Sequence, residues 1–585
     1  MLNNRKIILI LVFVVMLFFP SQQAISARNT IKTSSLKQWT PSSLAELVHD
    51  CTEGTVIEFD ADFDYAIDQC ITPKVSITIK GCGKKLRTIN KTNYVISLFD
   101  VEDVNSFVIE DLILDGGSSK TVTDGTMPKE FFITVKNVDK VSFSHCTFQN
   151  IKTDYPNWRN GDQPYTIWVE NYMKFTFCDN VVFNVDCPEF LIASLPKSNK
   201  DKNRIANISR NKMQFVRTSS AIEVRFGRYI INNNEIGVTH GSSVNAFGFD
   251  SEIIGNTFMG SHASSSIDLS EDYFFEYVST NVLVKDNYSA FAHDGFIMAD
   301  HVKNVRIQNN TYRADDICEE DHDRYDLLWS KIERKCDLAI RLEHDASNIS
   351  VISNTFKGSN ALVMLWSLGK KKDIRIENNL IINDSLTPRS SIMLSQVEGA
   401  IIQNNTFVNA GRSLSYLEPP QFIVIGPTYT DNASERYINK LKIINNNFSF
   451  TDKSIENAFI LAHTIHDKEY CNTLSTLNNI IVKGNKASFI GNIILVSDDI
   501  INARKASVSV RRNSFNNGRL LGNVVEPLNV KKVGRRQFLE MNTVVEVKGN
   551  KYYVILGGVT AEKNVIYSDN DYIKDGSVLL RRIYN

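Results

Sequence analysis

The sequence predicts an all-β chain wound as a solenoid of parallel coils. Three observations predict it. A phrase of the form V-x-I-x-x-N-x-F recurs along most of the 585 residues. Its apolar residues alternate with period two and are mostly β-branched, which is a strand signal and excludes a helical reading. Its tightest copies lie 22 and 23 residues apart (Asn234 to Asn256, Asn211 to Asn234, Asn287 to Asn310). A repeat of that length means that each unit is one coil, stacked on the last at about the 4.8 Å strand spacing.

At the N-terminus, Arg5 and Lys6 precede an apolar run from Ile7 to Phe19, with small residues around Ala24–Ala27. That order is a secretory signal; the run is short for a membrane span, and no Cys follows it to take a lipid. The expected location is therefore outside the cytoplasm: secreted, periplasmic or at the cell surface, with no membrane span. Net charge is −1 with 22% charged residues, which gives no electrostatic case for nucleic acid. Ser43-Leu-Ala-Glu46 is a capping-box pattern that opens a short amphipathic helix through Val48. Strand-like runs begin at Thr55–Phe59, and the phrase then takes over.

Its Asn slot is filled at Asn180, Asn211, Asn234, Asn256, Asn287, Asn310, Asn354, Asn379, Asn405, Asn446, Asn485, Asn513 and Asn550. Stacked Asn side chains hydrogen-bond along the stack, so these residues read as structure. Earlier copies place Cys82, Leu112 and Cys146 in the slot, which predicts buried thiols at Cys82 and Cys146. Cys51/Cys70, Cys178/Cys187 and Cys318/Cys336 are close enough in sequence to pair, though spacing does not fix connectivity.

Over roughly residues 76–553 these copies resemble the right-handed parallel β-helix proteins of the pectate-lyase-like superfamily. The resemblance implies a right-handed parallel β-helix solenoid with an N-terminal capping helix. The chain is thus expected to divide into residues 1–27 as signal peptide, 28–75 as cap and first strands, 76–553 as the β-helix and 554–585 as a C-terminal cap. It also implies that each coil carries a third strand whose outer face forms a substrate groove. The superfamily holds lyases, hydrolases, epimerases and adhesins, so the fold does not choose among them.

Stacked coils turn equal offsets into columns. Six residues past the slots from Cys146 to Asn354 stand Lys152, Asp186, Arg217, His240, His262, His293, Asp316 and Asn360, and beyond them the column turns to Ser385 and Gly411. Three His at one offset, from ten in the chain, mark a candidate face. The third strands add outward Glu223 and Arg225, Asn245, Asp268, and Arg341 with Glu343. Trp366 is a candidate for stacking on a sugar ring. The expected activity is binding and cleavage of a polysaccharide, acidic rather than neutral, by β-elimination or hydrolysis.

For elimination, His262 or His293 is the base. Arg225 or Arg341, or Ca²⁺ held by Glu223, Asp268 or Asp294, neutralises the sugar carboxylate. For hydrolysis, His293-Asp294-Gly295 followed by Asp315-Asp316 resembles the paired motifs of polygalacturonase-type glycoside hydrolases. Ala292-His293 and Ala314 depart from that pattern. The alternative is a non-catalytic glycan-binding or surface adhesin, which would spread its polar and aromatic residues along the whole groove.

Overall fold

The computed structural model describes residues 29–35, 41–66, 70–89, 97–117, 120–121, 132–154, 165–187, 189–269, 277–314, 316, 338–358, 361–365, 369–383, 390–394, 396–409, 421–425, 437–451, 458–463, 476–488 and shorter pieces between 491 and 582. The apolar run at the N-terminus, Asp315, Cys318, Cys336, Trp366, Asn513 and Asn550 lie outside these residues.

Each coil contributes three strand positions. The first precedes the slot, as in Lys140–Ser144, Lys174–Cys178 and Ile205–Ser209. The second follows it, as in Thr147–Asp154, Val181–Asp186 and Lys212–Arg217. The third closes the coil, as in Tyr165–Glu170, Glu189–Ser194 and the first half of Ser220–Asn232. Every position pairs in parallel with its counterpart one coil on, for example Val141 with Phe175 and Phe175 with Ala206. From Ser220–Asn232 onward several third strands run on into the next first strand, as in Gly295–Gln308 and Leu338–Ile352. Parallel pairing begins at Thr30–Lys32 with Thr55–Glu58, and the last two strands, Asn570–Lys574 and Ser577–Arg582, are antiparallel.

Inward residues of all three positions form one continuous core, with Ile109, Phe143, Phe177, Ile208 and Ile231 fully buried in successive coils. Each such side chain contributes about 1.5–3 kcal/mol of burial. A helix, Pro41–His49, sets Leu44 and Val48 into that core. It starts two residues before the capping box suggests, because Pro41 is suited to the first helical position.

The slot Asn residues form an unbroken ladder from Asn180 to Asn485. In Asn211 the side-chain carbonyl accepts from the backbone N–H and the Nδ2 of Asn180, at 3.0 and 3.1 Å. Its own Nδ2 donates to Phe177 O and to Asn234 Oδ1, each at 2.8 Å. The residue before each slot takes a left-handed conformation, among them Asp179, Arg210, Asn233 and Asn309 at φ of 54–58°. Asn and Asp tolerate that region better than most residues.

Cys146 is buried in its slot and donates its backbone N–H to Asn180. Cys82 corrects the expectation: it is exposed at φ 51° in a wider Gly81-Cys82-Gly83 turn. Gly81 lets this turn pass against the next coil, since a Cβ there would stand 2.2 Å from Asp111 O and Leu112 Cα. Cys51, Cys178 and Cys187 are outside any disulfide, so neither Cys51/Cys70 nor Cys178/Cys187 is bridged.

Candidate functional site

Strand register sets one outward column along the third strands: Trp168, Ile192, Glu223, Asn245, Asp268, Met298 and Arg341. Neighbours in it are about 4.8 Å apart. Glu223, Asn245 and Asp268 are therefore consecutive, while Met298 separates Asp268 from Arg341. Two residues further along the strands, Arg225 pairs with Phe247, and Asp300 with Glu343. The six outward residues expected from the sequence thus fall into two groups, each with its own ion pair. Arg225 Nε donates to Glu223 Oε1, and Arg341 Nε donates to Glu343 Oε1 at 2.6 Å.

The His column is in register. Thr239, Ser261 and Ala292 bridge successive coils, and the residues after them are His240, His262 and His293. The His262 N–H donates to Thr239 O at 3.1 Å and the His293 N–H to Ser261 O at 3.0 Å. All three side chains are half-buried at the entrance to the third strands. His293 Nδ1 lies 3.1 Å from Asp294 Oδ1. Gly295 follows at φ +114°, and a Cβ there would stand 2.3 Å from Leu338 O, so the turn after Asp294 needs glycine.

Arg217 ends Lys212–Arg217 in register with Lys152 and Asp186, and so lies on a second-position strand. Asp316 is exposed and accepts a hydrogen bond from the Tyr288 hydroxyl; its carbonyl accepts from the Phe291 N–H. It thus aligns with the start of the His293 turn.

The residues gathered around Glu223 include three that the sequence reading passed over. Glu189 heads its strand in register with Tyr165 and Ser220. It is 7% exposed, and its Oε2 has no hydrogen-bond partner among the described residues. Tyr165 and Trp168 form a ring pair with centroids 4.9 Å apart, and the Arg225 guanidinium lies 5.9 Å from the Trp168 ring. The Trp168 indole N–H donates to Glu170 Oε2 at 3.2 Å. The Asn245 Oδ1, one coil beyond Glu223, is buried and also lacks a partner among the described residues.

The electrostatics separate the two carboxyls. Burial, followed by the negative charge of Glu223, pushes Glu189 well above the usual carboxylate range, and Arg225 and Ser220 only partly offset this. Burial works against the charge on Arg225, yet Glu223 and Tyr165 outweigh it and hold the guanidinium ionised. Burial also raises the Tyr165 hydroxyl, against the pull of Arg225. The result is a carboxyl that burial drives toward its neutral form beside a carboxylate paired with a cation. A faint sequence signal existed: Glu189 is the one charged residue in Glu189–Ser194, a strand otherwise buried and nearly all apolar.

A second group lies where the third strand turns into the next first strand. Asp300, His301 and His344 meet there, beside Arg341–Glu343 and the buried Lys371. Desolvation lowers Lys371 to about 8, although Asp345, Asp300 and Glu343 pull the other way.

No family model matches the chain, and no curated protein matches it. Solved structures do. An N-terminal fragment of the bacteriophage Phi29 gene product 12 is 10% identical with a TM-score of 0.34, covering 100% of this chain and 99% of that one. A PL6 family alginate lyase mutant is 10% identical with a TM-score of 0.33, covering 95% and 90%. The chain resembles right-handed parallel β-helix proteins. The catalytic unit of a GH87 alpha-1,3-glucanase from Streptomyces thermodiastaticus is a further instance, 9% identical at a TM-score of 0.28 and covering 92% and 71%.

Proposed function

We propose that the protein is exported, binds a polysaccharide along the outward face of its third strands and hydrolyses it. One arrangement carries the reading: on adjacent strands beside an aromatic pair stand Glu189, which burial drives toward its neutral form, and Glu223, ion-paired with Arg225. Glu189, protonated, donates its proton to the leaving glycosidic oxygen. Glu223, ionised, stabilises the positive charge that develops at the anomeric carbon and takes up the proton released by the incoming water. Trp168 and Tyr165 offer faces for a sugar ring. Neutral Glu189 and the Asn245 carbonyl offer buried hydrogen-bonding groups to its hydroxyls. Each arginine on the face is already paired with a carboxylate of its own strand, which favours a neutral sugar over a uronate.

Elimination is the second reading, favoured by the register of His262 and His293 at the entrance. Incubation with acidic and neutral polysaccharides separates the two. New reducing ends without an ultraviolet-absorbing unsaturated product mark hydrolysis, and the unsaturated product marks elimination. Trp168→Ala should raise KM by up to roughly tenfold, the upper end of the about 0.5–1.5 kcal/mol of an aromatic contact, with a smaller effect on kcat. Tight binding of a polysaccharide with no product would replace the enzyme reading with the adhesin.

Helix Pro41–His49 serves as the N-terminal cap of residues 28–75, with one β-helix domain over 76–553 and a C-terminal cap over 554–585. The export signal predicts a secreted chain that begins near Arg28; a mass spectrum of the secreted protein that still contains Ile7 to Phe19 would remove this part of the reading.

A further inference from the structure

We propose that Asp300, His301 and His344 form a binding site for a divalent transition-metal ion, apart from the carboxyl pair at Glu189 and Glu223. The site is made by a corner of the coil. Gly295–Gln308 and Leu338–Ile352 are neighbours in register, Ala299 with Leu342 and Asp300 with Glu343, and the register shifts between Asp300 and Val302. At that shift His301 and His344 take left-handed conformations, φ 48° and 47°. Few L-residues adopt this region without strain. The two corners therefore present two imidazoles in the same orientation, one coil apart. Their rings stack with centroids 4.8 Å apart and planes 13° from parallel.

Both rings aim Nδ1 at one carboxylate oxygen. Asp300 Oδ1 lies 2.7 Å from His344 Nδ1 and 3.0 Å from His301 Nδ1. One donor atom from each of the three residues lies within 4.8 Å of the others. Bonds of about 2.0–2.1 Å to nitrogen and oxygen place cis donors of a six-coordinate ion roughly 2.9 Å apart, and those of a tetrahedral ion roughly 3.4 Å apart. Both nitrogen–oxygen distances are direct contacts between the imidazoles and the carboxylate, so an ion would take the place of these contacts by a small opening of the three side chains.

Two imidazoles and a carboxylate suit Zn²⁺, Ni²⁺, Co²⁺ or Fe²⁺; Ca²⁺ and Mg²⁺ prefer sites built from oxygen alone. Asp300 is nearly buried, while the side chains of His344 and His301 are 20% and 39% exposed. An ion could enter from solvent and keep open positions for water or a ligand. Facing the group are the Arg341–Glu343 pair, Asp345 and Lys371, whose ammonium competes with a metal for Asp300.

The test uses the full-length chain stripped with a chelator. Calorimetric titration with Zn²⁺ is expected to show one ion bound per chain, and Co²⁺ to develop a visible band characteristic of nitrogen and oxygen ligation. His301→Asn and His344→Asn keep a residue that tolerates the left-handed corner and should each weaken Zn²⁺ by about tenfold or more. Lys371→Met should tighten it by removing the competing charge. Ca²⁺ should not displace Co²⁺. No Zn²⁺ uptake and no Co²⁺ band in the wild-type chain would overturn the proposal, as would unchanged affinity in both His variants. The wild-type Co²⁺ spectrum does not depend on any variant folding, and none of these readouts depends on polysaccharide cleavage.

Discussion

Glu189→Gln is expected to lower kcat for polysaccharide hydrolysis by roughly 10²–10⁴-fold, the usual contribution of a positioned general acid. The fold should survive, because Gln replaces a carboxyl that is already neutral in the folded chain with a neutral group of the same shape. The pH dependence of stability gives the substitution a second readout. Glu189 has an ordinary value of 4.5 when unfolded and is raised well above it in the folded state. Between those values the folded chain holds a proton that the unfolded chain has released. Stability therefore falls as pH rises through that window.

Glu189→Gln should flatten this fall and leave the variant more stable than wild type on the alkaline side. Urea denaturation at a series of pH values measures it. Parallel stability curves for the two proteins would mean that Glu189 is not held protonated, and the acid role would go with it. Unchanged kcat with a flattened curve would leave Glu189 buried and neutral but outside the chemistry.

Asn256→Ala should destabilise the coil by about 3–5 kcal/mol. Each buried donor or acceptor left unsatisfied costs about 1–3 kcal/mol, and this one truncation strands several. The Asn234 backbone N–H and Nδ2 both donate to Asn256 Oδ1 at 2.9 Å. The Asn256 Nδ2 serves Ile231 O at 2.8 Å and Asn287 Oδ1 at 3.0 Å. The side chain is 1% exposed, so bulk water has no access to replace these bonds. Hydrogen exchange should show faster opening of the Asn234 and Asn256 amides than of the Asn446 amide, many coils away. A drop below about 1 kcal/mol in denaturant titration would mean that the ladder is replaceable by relaxation or buried water.

The coils were legible because the Asn phrase marks a position whose demands are the same in every turn: a left-handed residue, then an amide that fits the ladder. Used as a ruler, it brought His240, His262 and His293 into one column, as the bridges through Thr239, Ser261 and Ala292 show. It failed at Cys82, where four residues, 81–84, join the first and second strands instead of the two found one coil on.

The carboxyl pair was harder to see. Glu189 shares register parity with inward Leu191, so alternation assigns it to the core; only its place at the strand entrance lets it approach Glu223 and Arg225. Asp300 and His301 were hidden for a different reason. They lie inside one continuous strand, Gly295–Gln308, and an alternation pattern carries no sign of a left-handed corner within it.

The ladder also has a direction. In each rung from Asn211 to Asn446 the side-chain carbonyl accepts from the earlier coil, while Nδ2 gives one hydrogen to the next rung's carbonyl and the other to a backbone carbonyl of the earlier coil, as in Asn211 and Asn256, so the side-chain chain runs one way along the axis. The two ends of such a chain are unequal. At the N-terminal end the last carbonyl asks only for a backbone N–H, and Cys146 supplies one at 2.9 Å without contributing a polar side chain. Any residue but proline could do the same, which is why a thiol there and Leu112 one coil earlier stop the ladder without harm. At the opposite end each new rung presents its backbone N–H and one Nδ2 hydrogen, and only an incoming acceptor satisfies both. A chain shortened from its N-terminus down to Cys146 would keep a closed ladder, whereas one cut after any slot Asn would leave it open.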